Sequence, residues 1–117
     1  MKQPPAFQVY ARDFLVDETA HLSLEATGAY VKLLCHQWLK GSLDPDVALL
    51  ARLVNVPVKE FRRVWKELAD HFPVTQSDGQ RRNADLELRR ADSHAYLRRQ
   101  AEAGRQGARA RWLKRVP

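Results

Sequence analysis

The sequence has a single cysteine, Cys35, and is short of the residue groupings that most chemistry needs. One thiol cannot close an internal disulfide, and its place between Leu34 and His36 in an apolar helical pattern predicts a small core side chain. The four histidines, His21, His36, His71 and His94, are scattered, and no Cys/His pair has zinc-ligand spacing, so no metal site is expected. Glycine is sparse. Gly104 and Gly107 lie in a basic stretch and not between a strand and a helix, which excludes a phosphate-cradling loop and the nucleotide hydrolysis that would use it. No serine has a histidine arranged to activate it. Asp13, Asp17 and Glu18, like Asp44 and Asp46, sit near expected helix starts, where capping and the helix dipole account for them without a catalytic pair. Neither an enzyme nor a cofactor is expected. No stretch approaches the ~20 apolar residues that cross a bilayer, and Met1 to Pro5 has no apolar leader segment, so a soluble, cytoplasmic protein is the expectation.

What the sequence does have is lopsided charge. Its 117 residues suit one domain. Residues 1–80 hold 9 Lys+Arg against 10 Asp+Glu and residues 81–117 hold 11 against 4, so the whole net charge of +6 comes from the last third. Segregation of this kind points to a polyanionic partner, nucleic acid or an acidic membrane surface, with a solubilising tail as the plainer alternative. A membrane is disfavoured because residues 104–115 offer only Trp112 and Leu113 as apolar anchors.

Hydrophobic spacing predicts a mainly helical chain. Phe7-Gln8-Val9-Tyr10 alternates like a short strand, and Asp13 to Ala20 suits a brief helix. Ser23 can cap a helix in which Leu24, Gly28, Val31, Cys35 and Trp38 share a face and Gly41 ends the run. Asp44-Pro45 reads as cap and first turn of a second helix over 45–54, with Val47, Leu50, Ala51 and Val54 inward. After the break at Asn55-Val56-Pro57, Phe61, Val64, Trp65 and Leu68 define the inner side of a third helix. The opposite side carries Lys59, Arg62, Arg63, Lys66 and Asp70, with Glu60 and Glu67 on one flank, so the outward face is mainly basic. Phe72 to Thr75 and Gln80 to Asn83 then suit the two arms of a hairpin turning at Asp78-Gly79. Asn83 caps a last helix with a seam of Ala84, Leu88, Ala91 and Ala95.

Two short helices with a tight break, the second basic outside, followed by a hairpin, is the order of a winged helix-turn-helix. The expected fold is therefore mainly α with a small β-hairpin wing over residues 1–103, the C-terminal helix included, and a basic tail over 104–117. On this reading Lys59, Arg62, Arg63 and Lys66 face the major groove of DNA, and Arg81 and Arg82 on the wing meet the backbone. Arg105, Arg109, Arg111, Lys114 and Arg115 bind phosphate from the tail, where Trp112 either stacks on a base or docks on the domain. A solvated helix face also carries Lys and Arg by default.

Phe7 to Leu15, Leu22 to Tyr30, Leu33 to Leu39 and Ala103 to Trp112 together resemble the YdaU-like family of phage and prophage proteins, catalogued as a domain of unknown function. That resemblance implies a winged-helix domain like the N-terminal part of phage replisome organisers and DnaD-type primosomal proteins. It also implies a role in replication initiation, with a helicase or its loader as protein partner. Two other uses of the same surface stay open: transcriptional regulation, and a protein-interaction module or homodimer in which the fold is only scaffold.

Overall fold

The structure, a computed structural model, describes residues 5–115 and leaves the side chains of Tyr96 and of residues 109–115 undescribed. The order is α1 (Ala11–Asp13), passing into a π turn (Phe14–Glu18), then α2 (Leu24–Lys40), α3 (Val47–Leu53) and α4 (Val58–Leu68). A 3₁₀ turn (Ala69–His71) and α5 (Ala84–Arg115) follow. α2, α3 and α4 pack on one another, and α5 packs on α2.

The local signals that set these boundaries are mostly side-chain caps. Ser23 Oγ accepts from Ala26 N at 3.1 Å, and Gly41 at φ 92° ends α2 in the left-handed region that favours glycine. Asn83 Oδ1 accepts from Leu86 N at 3.0 Å and starts α5. The second cap lies two residues later than the proline suggests. Asp46 Oδ1 accepts from Ala48 N, while Asp44 Oδ1 holds the N–H of Asp46 in a local turn, so Asp44-Pro45 precedes the helix.

Four expectations about strands and faces are corrected. No strand is present among the described residues, so the β-hairpin wing, and with it the winged helix-turn-helix assignment, is overturned; the mainly α class stands. Arg81 makes isolated bridges to Leu43 and Val74, and neither extends. The reason lies in the arms: Pro73 has no N–H to offer a ladder, and the returning arm has only Gln80 to Arg82 before Asn83 is taken by the α5 cap. Phe7 to Tyr10 is likewise not a strand. Phe7 instead packs its ring on Trp38, with centroids 5.3 Å apart. In α2 the face that enters the core is Ala26, Ala29, Tyr30, Leu33, Leu34, Gln37 and Trp38, leaving Leu24, Gly28, Val31 and Cys35 exposed. α2 carries two apolar stripes, and the one with the large aromatic residues buries more surface. In α5, similarly, Leu86 is buried and Leu88 exposed, so the Ala84/Leu88/Ala91/Ala95 seam does not face the core.

A run of rings crosses the core. Phe14 meets Tyr30, Tyr30 meets Phe72, Phe72 meets Trp65 and Trp65 meets Phe61, at centroid separations of 6.0, 5.7, 6.3 and 5.8 Å. Leu33, Leu34, Leu50, Leu68 and Leu86 close around it.

α5 is fastened by polar groups. Gln37, fully buried, accepts from Asn83 N at 2.8 Å and donates to Asn83 O at 3.2 Å and Glu87 Oε1 at 2.9 Å. Arg90 lies over the Trp38 ring at 4.7 Å and donates to the carbonyls of Trp38 and Gln37 in the last turn of α2, the Gln37 carbonyl also accepting from the Gly41 N–H. Arg89 pairs with Glu18, which also accepts from the Tyr30 hydroxyl at 3.2 Å. Burial first, and the Glu18 charge second, push the Tyr30 phenol well above its ordinary range. Beyond these first turns α5 projects as a single helix through Gly104 and Gly107, and the molecule reaches 73 Å along its longest axis.

Gln37→Leu keeps the volume but strands the Asn83 N–H in the interior. It is expected to lower unfolding free energy by about 2–3 kcal/mol in urea titration. A second outcome follows from His71, whose Nε2 lies 3.0 Å from that of His21. Burial, then the His21 charge, lower its pKa, with Asp70, Glu18 and Asp85 opposing. A histidine depressed in the folded state contributes stability above its unfolded pKa of about 6.5 that is lost as pH falls. The urea midpoint should therefore drop between about pH 7.5 and pH 5, and His71→Asn should flatten that drop.

Candidate nucleic-acid interface

α4 owes its two-faced character to spacing. Phe61, Val64 and Leu68 recur at three and four residues and are buried, with Trp65 half-buried beside them. The remaining directions carry Lys59, Arg62, Arg63 and Lys66, all exposed. None of the four makes a hydrogen bond or ion pair with any described residue. The acids of the same helix do not neutralise them. Glu67 turns toward the start of α2, where it accepts from Ser23 N at 2.9 Å and Ser23 Oγ at 2.8 Å. The Ser23 amide first, and its hydroxyl second, hold that carboxyl below the usual range. Glu60 is exposed and forms no pair with Arg63.

The two arginines expected on a wing are placed differently. Arg81 lies over the Trp65 ring at 5.1 Å and donates to Phe72 O at 3.0 Å and Pro45 O at 3.2 Å, so its guanidinium ties the 43–45 loop to the end of the α4 region. Arg82 grips Asp78 through both oxygens at 3.0 and 2.6 Å and donates to Gly41 O at 3.3 Å. Its hydrogen bonds, with that of the Gln80 amide next, bring the Asp78 carboxyl down to about 2. Arg105 is exposed and paired with Glu102 at 2.7 Å. The side chains of Arg109, Arg111, Lys114, Arg115 and Trp112 lie outside the described residues. Of the cations singled out in the sequence, then, the structure brings four together on α4, and it engages Arg81 and Arg82 in holding the fold.

A feature that the spacing did not disclose is a groove of about 460 Å³ between α2 and α4. Ala29, Val56 and Phe61 form part of its floor, and Glu25, Lys32, Glu60 and Arg63 line it. Of the second apolar arc on α2, which periodicity alone assigns to the core, only Gly28 lines this groove. Cys35 belongs to that arc and is exposed, contrary to the core place expected for it. Among the described residues no group of three or more His, Cys, Asp or Glu side chains could hold a metal ion, and no helix is long and apolar enough to cross a membrane.

The placement separates structural from free cations, and stability measurements can see the difference. Arg81→Ala is expected to lower unfolding free energy by about 1–2 kcal/mol, because it strips two carbonyls and a ring of their donor. Lys66→Ala should change it by less than about 0.5 kcal/mol. Paired urea titrations check both.

No curated protein and no solved structure matches the chain. The model of one protein family, described as a protein of unknown function (DUF1376), matches residues 5–89, from the segment before α1 through the α5 turns fastened to α2, and the chain belongs to that family.

Proposed function

We propose that the protein is a non-enzymatic DNA-binding module that meets duplex DNA through the outer face of α4. The observation that carries this reading is the set of four cations, Lys59, Arg62, Arg63 and Lys66, exposed and unpaired on one side of an eleven-residue helix. Lys and Arg left without carboxylate partners keep their full charge for phosphate, and their binding releases condensed counterions. A single helix about 10–12 Å across fits the ~12 Å major groove, where arginines can also reach guanine edges. The end of α5, with Arg109, Arg111, Lys114 and Arg115, adds sequence-independent attraction. The resemblance to the YdaU-like group supplies the context: replication initiation of a phage or prophage, with a helicase or its loader as protein partner.

Fluorescence anisotropy of the full chain with a labelled duplex across a salt series tests the reading. The triple variant Arg62→Ala/Arg63→Ala/Lys66→Ala should bind on the order of a hundredfold more weakly at low salt, with the slope of log K against log salt shallower by about 2 to 3. Removing residues 104–117 should also reduce the slope while leaving the preference for duplex over single strand. Unchanged affinity in the triple variant would mean that α4 is not the contact.

A further inference from the structure

We infer that the outer face of α2 is a contact between two copies of this chain, packed antiparallel about a two-fold axis that crosses the helix beside Gly28. The inference stands apart from the DNA reading and rests on α2; of the cations in that reading only Arg63 borders this surface.

At 100° per residue, Leu24, Gly28, Val31, Cys35 and Leu39 fall within an arc of roughly 80°. No charged residue shares that arc. All five are exposed, Leu24 at 90% and Leu39 at 71%. Single exposed leucines need no explanation, but a continuous apolar row along the helix marks a surface that another element covers. The described chain borders the row without burying it: α5 packs on the other side of α2, through Gln37 and Trp38, while Pro5, Ala6 and Phe7 flank only its Cys35–Leu39 end across a shallow pocket. The four-three-four spacing from Leu24 to Cys35 is that of a seam in which side chains of one helix enter the gaps of another.

The charges beside the row identify the partner. Glu25 and Lys32 lie on the same flank, seven residues and about 10.5 Å apart along the axis. Their midpoint falls between residues 28 and 29. A two-fold axis through that point sets Glu25 opposite the partner's Lys32 and Lys32 opposite the partner's Glu25. Gly28 sits beside this axis. A Cβ there would meet nothing within 4 Å in the chain, and its absence lets two helices approach closely. Across the groove α4 repeats the pattern with Glu60 and Arg63. Glu25, Glu60 and Arg63 have no partner within the described chain, and Lys32 makes only a 3.5 Å contact to Val54 O. Equal numbers of acids and bases that a rotation exchanges make a surface complementary to itself, as a two-fold interface requires. Nucleic acid would be repelled by the two carboxylates, and so would an acidic membrane. Lys59, Arg62 and Lys66 lie outside the groove lining and stay available.

Sedimentation equilibrium of the full chain without DNA tests the contact, with thermal unfolding of each variant as the folding control. The parent should show a reversible dimer. Val31→Asp should raise the dimer Kd at least about a hundredfold, since it buries two carboxylates in an apolar seam. Glu25→Lys or Lys32→Glu alone should raise it several-fold, and Glu25→Lys with Lys32→Glu together should return it to near the parent value, because the swapped surface is again its own complement. A parent chain that stays monomeric into the millimolar range, a dimer indifferent to Val31→Asp, or a double swap that is worse than either single change overturns the proposal. The DNA-binding experiment is read on α4 variants, so failure here leaves that reading intact.

Discussion

The amide of Gln37 is the point on which the arrangement turns. It has no exposed surface, so each of its polar atoms needs a partner inside the protein, and those partners are the backbone of Asn83 and the carboxylate of Glu87. A buried amide has few solutions, and this one fixes where the chain re-enters after the loop from Phe72 to Arg82. Asn83, held there, spends its own side chain on the first turn of α5 and on His71 O, which is 2.9 Å away. The direction of α5 and the placing of the 3₁₀ turn thus follow from one contact between residues 46 apart in sequence. An apolar pair at these positions would pack as well but would hold no such register.

Arginine does two kinds of work in this chain. Arg81, Arg82, Arg89 and Arg90 each donate to carbonyls or carboxylates of the fold, and two of them lie over tryptophan rings. The planar guanidinium suits that work because it can serve several acceptors at once. The cations of α4 have no such acceptors near them, so the same residue type is structural at the base of α5 and free on α4. Composition and net charge cannot distinguish the two; the distinction comes from what surrounds each group. The +7 excess of the last third therefore overstates the charge available to a partner, since Arg81, Arg82, Arg89 and Arg90 in it are engaged.

The helices were legible where local chemistry sets them. Ser23, Gly41, Pro57 and Asn83 mark boundaries that the structure keeps, because a cap or a left-handed residue acts within one turn. The inner side of α4 was legible for a related reason: its apolar residues occupy one arc only. α2 was not, since two arcs compete and only tertiary packing decides which is buried. The wing failed for a long-range reason. An Asp-Gly pair signals reversal, and Gly79 at φ 73° supplies it, but Asp78 stays outside the left-handed region and Leu43, distant in sequence, takes the N–H of Arg81. Nothing near residues 73–82 announces that competitor. The engagement of Arg81 with Trp65 and of Arg90 with Trp38 is equally unreadable, as each pairs groups far apart in the chain.

The central claim is that the unpaired cations of α4 form the surface that meets phosphate. Lysine acetylation, read residue by residue by mass spectrometry with and without a saturating duplex, tests it most directly. The account requires Lys59 and Lys66 to become protected while Lys32 and Lys40, on α2, are modified as in the free protein. Equal modification of Lys59 and Lys66 in both samples, with protection appearing on α2 instead, would contradict it.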